Sequence, residues 1–290
     1  MKTSIVADQL AAIEVSGLSK RYRRRSALRD CTFSLPAGQV TALAGSNGAG
    51  KTTLLSIVAG LLVPSEGRVL IGGRPVAGGD DGVAFVAQHK PLYRHFSVAD
   101  MLRLGKNLNR TWDQARAEGI LARFGISLDR TCGRLSGGQQ AQVAFALALG
   151  TRPSVLLLDE PLANVDPPAR RLLTEELLTE VAETGMTVVL STHVLTELGG
   201  VADHLVLLES GNLVLAGEID DLLAEHARYT GPRSDTPPPG EVVEAKHAED
   251  QSVFLIRHGE YDQAGPWITR PTTLEDLVVA HLTAAKERSA

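Results

Sequence analysis

Gly45-Ser46-Asn47-Gly48-Ala49-Gly50-Lys51-Thr52 has the spacing G-x-x-x-x-G-K-[ST], that of a loop that wraps phosphate. Glycines let successive backbone N–H groups curl around phosphate oxygens, which a Cβ would obstruct. A helix starting at the loop adds unpaired N–H groups and the positive end of its dipole. Lys51 can reach β- and γ-phosphates, the Thr52 hydroxyl suits Mg²⁺, and Thr53 follows in the same turn. Further along, Asp159 and Glu160 close an apolar run and Pro161 stops it. Ligands of parallel sheets bind at such carboxyl ends. Ser136-Gly137-Gly138 opens another helix, so its N–H groups and dipole make a second anion site.

These groups need particular elements beneath them. Val40 to Ala44 runs into the loop as a strand would, and Thr53 to Leu62 leaves it with helical character. Val155 to Leu158 is continuously apolar, as in a parallel strand buried on both faces. Ile13 to Val15 and Cys31 to Leu35 read as antiparallel edge strands, with Val69 to Ile71, Val83 to Val86, Thr187 to Leu190 and Leu205 to Leu208 as further strands. From Val98 to about Gly150 the apolar spacing turns helical, and a helix should run from Ser136 to Leu149. Ala169 to Thr184 reads as an amphipathic helix with Glu175, Glu176 and Glu180 on its polar face, and Gly217 to Ala227 ends this part with a short helix. Pro237-Pro238-Pro239-Gly240 reads as a linker. Two strands, Glu241 to Ala245 and Val253 to Arg257, and a helix from Thr273 to Lys286 should follow. Leu274, Leu277, Val278 and Leu282 form an apolar stripe on that helix, suited to regulation or to steadying a dimer.

The chain has 290 residues, of which 43% are hydrophobic, enough for a sizeable core. A net charge of −5 gives no general reason to expect nucleic acid as a partner. A local basic run, Lys20, Arg21, Arg23, Arg24 and Arg25, reads as a solvated hairpin or as attraction to anionic lipid or a partner. Cys31 and Cys132 lack metal-ligand spacing and suit reduced thiols of a cytosolic protein. No run approaches the roughly 20 apolar residues that cross a bilayer. Met1 to Leu10 lacks a signal-peptide core, so a membrane role requires other chains to do the spanning.

Over residues 12 to 225 the sequence resembles the nucleotide-binding domain of ATP-binding cassette (ABC) transporters. Leu135-Ser136-Gly137-Gly138-Gln139 is similar to that family's signature, and Asp159-Glu160 looks like its Walker B pair. The resemblance implies that Asp159 holds Mg²⁺, directly or through water, and that Glu160 polarises the attacking water. It matches Tyr22 to the aromatic that stacks on adenine, and Gln88 to the Q-loop glutamine that contacts Mg²⁺ and that water. It also matches Asp166 to the D-loop aspartate and His193 to the switch histidine on the γ-phosphate. Two ATP molecules would be sandwiched between two such subunits, homo- or heterodimeric, with Lys51 of one chain opposite Ser136 of the other.

The implied fold class is α/β: a P-loop NTPase core sheet with an antiparallel edge subdomain, an inserted helical subdomain at about 90–150, and a small C-terminal α+β appendage. The expected division is 12–228 for the nucleotide-binding domain, 229–240 for the linker and 241–290 for the appendage. Ala141-Gln142 and Asn164-Val165 depart from the usual family residues, which bears on turnover and lobe coupling rather than on ATP binding. Asn109 to Asp113, Arg123-Phe124-Gly125 and Pro271 to Leu277 resemble stand-alone ATPases of bacterial exporters, although Trp112 serves equally as a packing anchor. The expectation is an ATPase at the inner face of the cell membrane, driving a separate permease in export. A soluble ABC ATPase assembling iron–sulfur clusters is the alternative, and a nucleic-acid-acting one lacks room for its coiled coil or second cassette. Leu255 to Glu260, with His258, reads like a histidine-phosphatase strand end, but only 30 residues follow it.

Overall fold

The computed structural model describes residues 11–23, 25–76, 82–163, 165–192, 200–257 and 266–288. The chain begins with β1 (Ala11–Tyr22), β2 (Arg25–Pro36), β3 (Val40–Gly45), α1 (Lys51–Val58), β4 (Glu66–Ile71), β5 (Arg74–Pro75) and β6 (Val83–Val86). Helices α2 (Val98–Leu108), α3 (Gln114–Arg123) and α4 (Gly137–Gly150) follow. The chain then continues through β7 (Val155–Asp159), α5 (Pro167–Thr184), β8 (Thr187–Thr192), β9 (His204–Glu209), β10 (Asn212–Glu218) and α6 (Ile219–Ala224). It ends with β11 (His226–Pro232), β12 (Glu241–His247), β13 (Gln251–Arg257), β14 (Ile268–Pro271) and α7 (Leu274–Glu287).

A six-stranded sheet of order β10-β9-β3-β8-β7-β6 is the centre, parallel except for β10. Its apolar runs do not alternate because both faces are buried. Leu43, Leu157, Val189 and Val206 face α1 and an antiparallel sheet of order β2-β1-β4-β5. Ala42, Leu156, Leu158 and Leu190 face the helices on the other side. The class read from the sequence is therefore present, and the edge strands run longer than expected because β1 and β2 pair along a whole hairpin.

The helices of the inserted lobe are stopped and started by side-chain caps. Ser97 and Asp100 form a capping box on α2, Asp113 caps α3, and Ser136 with Gln139 boxes α4. Trp112 anchors this lobe: a Cβ at Gly105 or Gly150 would stand 2.7 or 2.8 Å from its ring. Glu176 and Glu180 are not on a solvated face, as the amphipathic reading expected, but buried. They take Arg123 and Arg116 of α3 as ion-pair partners and so tie the lobe to α5, while Glu175 stays exposed.

The C-terminal part differs from expectation at its boundary. Residues 229–232, expected in a linker, belong to β11, an inner strand of the sheet β12-β13-β11-β14. The triproline alone could not show that the chain pairs with β13 and β14 before reaching it. The stripe on α7 is also spoken for: Leu277 and Val278 are buried in the main core, where α7 lies on β9 and β10, and Leu274 and Leu282 pack at its margin. His258 of the phosphatase-like segment lies outside the described residues. No described helix is long and apolar enough to cross a membrane.

Leu277→Ala should cost roughly 2–5 kcal/mol, the range for emptying a filled core site. Denaturant unfolding at two protein concentrations checks this. A loss that appears only at the higher concentration would instead assign the stripe to a dimer contact.

Candidate functional site

The phosphate loop joins β3 to α1 under tight backbone constraint. A Cβ on Gly45 would stand 2.2 Å from the Leu208 carbonyl oxygen of β9, and one on Gly50, at φ 112°, 2.5 Å from that of Ala27 in β2. Only glycine fits either place. Asn47, Gly48, Gly50, Lys51, Thr52 and Thr53 line an open cavity of about 510 Å³, with Gly45 and Ala49 buried behind them. The Ser46 hydroxyl turns away from the cavity and donates to Glu209 at 2.6 Å.

Across the cavity stand Tyr22, Arg25, Gln88 and Glu160. Gln88 Nε2 donates to Glu160 Oε2 at 2.9 Å, so these two expected site residues are in direct contact. Glu160 follows the end of β7 at φ 45°, a strained conformation for a residue with a Cβ. Ser191 of β8, the register partner of Asp159, holds it there: its Oγ donates to Asp159 Oδ1 at 2.8 Å and accepts the Glu160 N–H at 2.8 Å. Asp159 itself is 2% exposed, behind the cavity wall. The Thr52 hydroxyl, Gln88 amide and Asp159 carboxylate are hard oxygen donors, the kind Mg²⁺ takes beside water and substrate phosphates.

Lys51 is buried, its Nζ donating to the carbonyls of Gly45 at 2.8 Å and Ser46 at 3.2 Å. Burial lowers its pKa, against the opposing pull of Glu160, Asp159 and Glu209. Burial likewise lowers that of Lys90, with Glu160 opposing.

The signature residues Ser136, Gly137, Gly138 and Gln139 do not line this cavity. Ser136 is exposed at the start of α4, its hydroxyl accepting the Gln139 N–H. Asp166 caps α5 through the Ala169 N–H, and a Cβ on Gly138 would stand 3.4 Å from its carboxylate. His193 and Asn164 fall outside the described residues.

Sequence reasoning missed three participants. Ser191 has no signal in the sequence, because its role needs the β7–β8 register. Glu209 carried a readable signal, a charge ending an apolar strand at the same sheet edge as Asp159. Arg25 was set aside within a basic run.

Residues 28–163 match the family model described as ABC transporter. The chain carries an ATP-binding cassette of the ABC transporter family. The sulfate/thiosulfate import ATP-binding protein CysA of Yersinia pseudotuberculosis is 36% identical over 228 residues, 74% of this chain and 63% of that protein. The chain thus spans under two thirds of the length of this relative. A solved ATP-binding subunit of an ABC transporter superposes with TM-score 0.66 at 28% identity, covering 73% of this chain and 92% of the other. The protein cbiO1 of Clostridium perfringens, described as part of an ABC transporter complex, superposes with TM-score 0.64 at 29% identity, covering 74% and 91%.

Ser191→Ala should leave the cassette folded but loosen both carboxylates, lowering Mg²⁺ affinity in the presence of ATP by about 10- to 100-fold. A Mg²⁺ titration of nucleotide binding measures it, and an unchanged midpoint would deny Ser191 its bridging role.

Proposed function

We propose that this protein is the ATP-hydrolysing subunit of an ABC transporter, working as a pair of cassettes beside a separate transmembrane permease. One observation carries the reading: an aromatic ring, a phosphate loop with its lysine, and a Gln–Glu pair converge on one cavity, while the signature helix of the same chain faces elsewhere. A helix start built for an anion, yet outside the lining of its own chain's cavity, fits the loop of a second copy.

In this reading the adenine stacks on Tyr22 and the phosphates lie along Asn47 to Thr53. Lys51 leaves the loop carbonyls for the β- and γ-phosphates. Thr52, Gln88 and Asp159 hold Mg²⁺, which neutralises phosphate charge when bound. Glu160 orients and polarises the water for in-line attack, with His193 and the partner's signature helix on the γ-phosphate. Asp166, close to Gly138, links α5 to that helix.

The permease contact is supported by a second opening of about 590 Å³ lined by Phe85, Leu92, Met101, Leu108 and Leu147. It lies between β6, which leads to Gln88, and the inserted helices, and Leu108 is 73% exposed there. A permease segment seated in it would feel movements at Gln88. Such a partner would place the protein at the inner face of the cell membrane.

The export direction expected from the sequence is not supported: the CysA relative is named for import of sulfate or thiosulfate. The chemistry of ATP hydrolysis is the same for either direction, so exporter-like segments outside the site do not decide the matter. Service to a soluble assembly instead would appear as co-purification with soluble partners rather than membranes.

Glu160→Gln should retain ATP binding and lower hydrolysis by about 100-fold or more, because the amide cannot accept a proton from water. With Mg-ATP it should also accumulate as a dimer in sedimentation. Hydrolysis near the parental rate would refute the role of Glu160, and an ATP-loaded monomer, even with permease present, would refute the pairing.

A further inference from the structure

Within the basic run at the β1–β2 hairpin, one side chain reaches the phosphate loop. Lys20 and Arg21 are engaged locally: Lys20 Nζ donates to the Val63 carbonyl at 2.7 Å and lies 5.3 Å from the centre of the Tyr22 ring, and Arg21 pairs with Glu66 at 2.6 Å. Arg23 makes the turn at φ 47°. Arg25 is held differently. It is the cross-strand partner of Tyr22, its side chain lines the 510 Å³ cavity, and its Nη2 reaches the carbonyl oxygen of Gly48 in the phosphate loop at 3.5 Å.

Three physical points bear on what that guanidinium does. At 3.5 Å its bond to a neutral carbonyl is at the edge of hydrogen-bond range and is readily exchanged. A phosphate oxygen is a far better acceptor, since charge-assisted bonds are shorter and about twice as strong, and arginine keeps its charge at any physiological pH. The hairpin register also fixes its position. A nucleotide with its base on Tyr22 and its phosphates in the loop would lie in the cavity that Arg25, the residue opposite Tyr22, also lines.

We propose that Arg25 is a phosphate-contacting residue of the nucleotide site, exchanging the Gly48 carbonyl for a phosphate oxygen of a bound nucleoside triphosphate. The inference rests on the ATP-site reading and extends it. Lys51 serves the loop from beneath, where it is buried, and Arg25 serves it from the hairpin side. Because Arg25 is exposed, water and salt screen its charge, and its effect is smaller than that of Lys51.

The test is titration of the full-length protein with a fluorescent N-methylanthraniloyl ATP at several salt concentrations. Arg25→Ala should weaken binding about 5- to 30-fold at low salt, the range for a charged hydrogen bond reduced by the exposure of Arg25 to solvent, and should flatten the dependence of affinity on salt. Arg25→Gln keeps a donor for Gly48 but no charge, and should bind like Arg25→Ala. Arg25→Lys should fall between these and the parent. Binding by Arg25→Gln within twofold of the parent, or loss without flattening, would overturn the proposal in favour of a neutral clamp on the loop. Lys51→Ala, run beside them, separates the two readings. Should it bind normally, the nucleotide site itself is misassigned and the role of Arg25 falls with it.

Discussion

The phosphate loop keeps its shape because three stretches of backbone meet with no side chain between them. Gly45 lies against the Leu208 carbonyl of β9, and Gly50 against the Ala27 carbonyl of β2. These contacts wedge the loop between the parallel sheet and the antiparallel one, and they decide what else can reach the nucleotide. The approach of β2 brings the hairpin with Tyr22 and Arg25 over the loop. The approach of β9 places Glu209 under Ser46. Without a Cβ-free loop, neither sheet could close on the site.

Charge is arranged around one buried cation. Lys51 sits among Asp159, Glu160 and Glu209 and fills the loop with its own ammonium group. A triphosphate entering this place meets a lysine already desolvated, bonded to neutral carbonyls it can give up for stronger acceptors. Burial lowers the pKa of this lysine, and the carboxylates oppose that lowering in part. Ser191 keeps two of these carboxylates in fixed relation, so Asp159 and Glu160 move as one unit at the ends of β7 and β8.

The inserted lobe shares the main apolar core with the sheet, and specific contacts fix its orientation. Arg116 and Arg123 pair with buried glutamates of α5, Trp112 locks α2 to α4, and Asp166 lies beside Gly138. Removing one partner of a buried pair strands the other charge, which makes such pairs strong determinants of geometry even when their net stabilisation is small. The Gln88–Glu160 bond adds a link from the interlobe opening to the cavity. A rotation of the lobe would therefore be felt at the carboxylate.

The sequence by itself determined the loop, the acidic pair, the signature and the parallel strands, because each is a local pattern: glycine spacing, a charge ending an apolar run, a capped helix start. It also determined that Tyr22 and Gln88 belong with them, through resemblance. Tertiary structure alone decided how those patterns are joined. Ser191 matters only through its register with Asp159, Arg25 only through the hairpin and the close passage of β2, and Glu176 and Glu180 only because α3 lies across α5. The end of the chain shows the same limit. A triproline looks like a boundary in sequence, yet β11 has already joined its sheet before it, and the apolar stripe of α7, legible as a surface in need of cover, is covered by β9 and β10 of the same chain. Periodicity reveals that a face must be buried; only the packed chain shows against what.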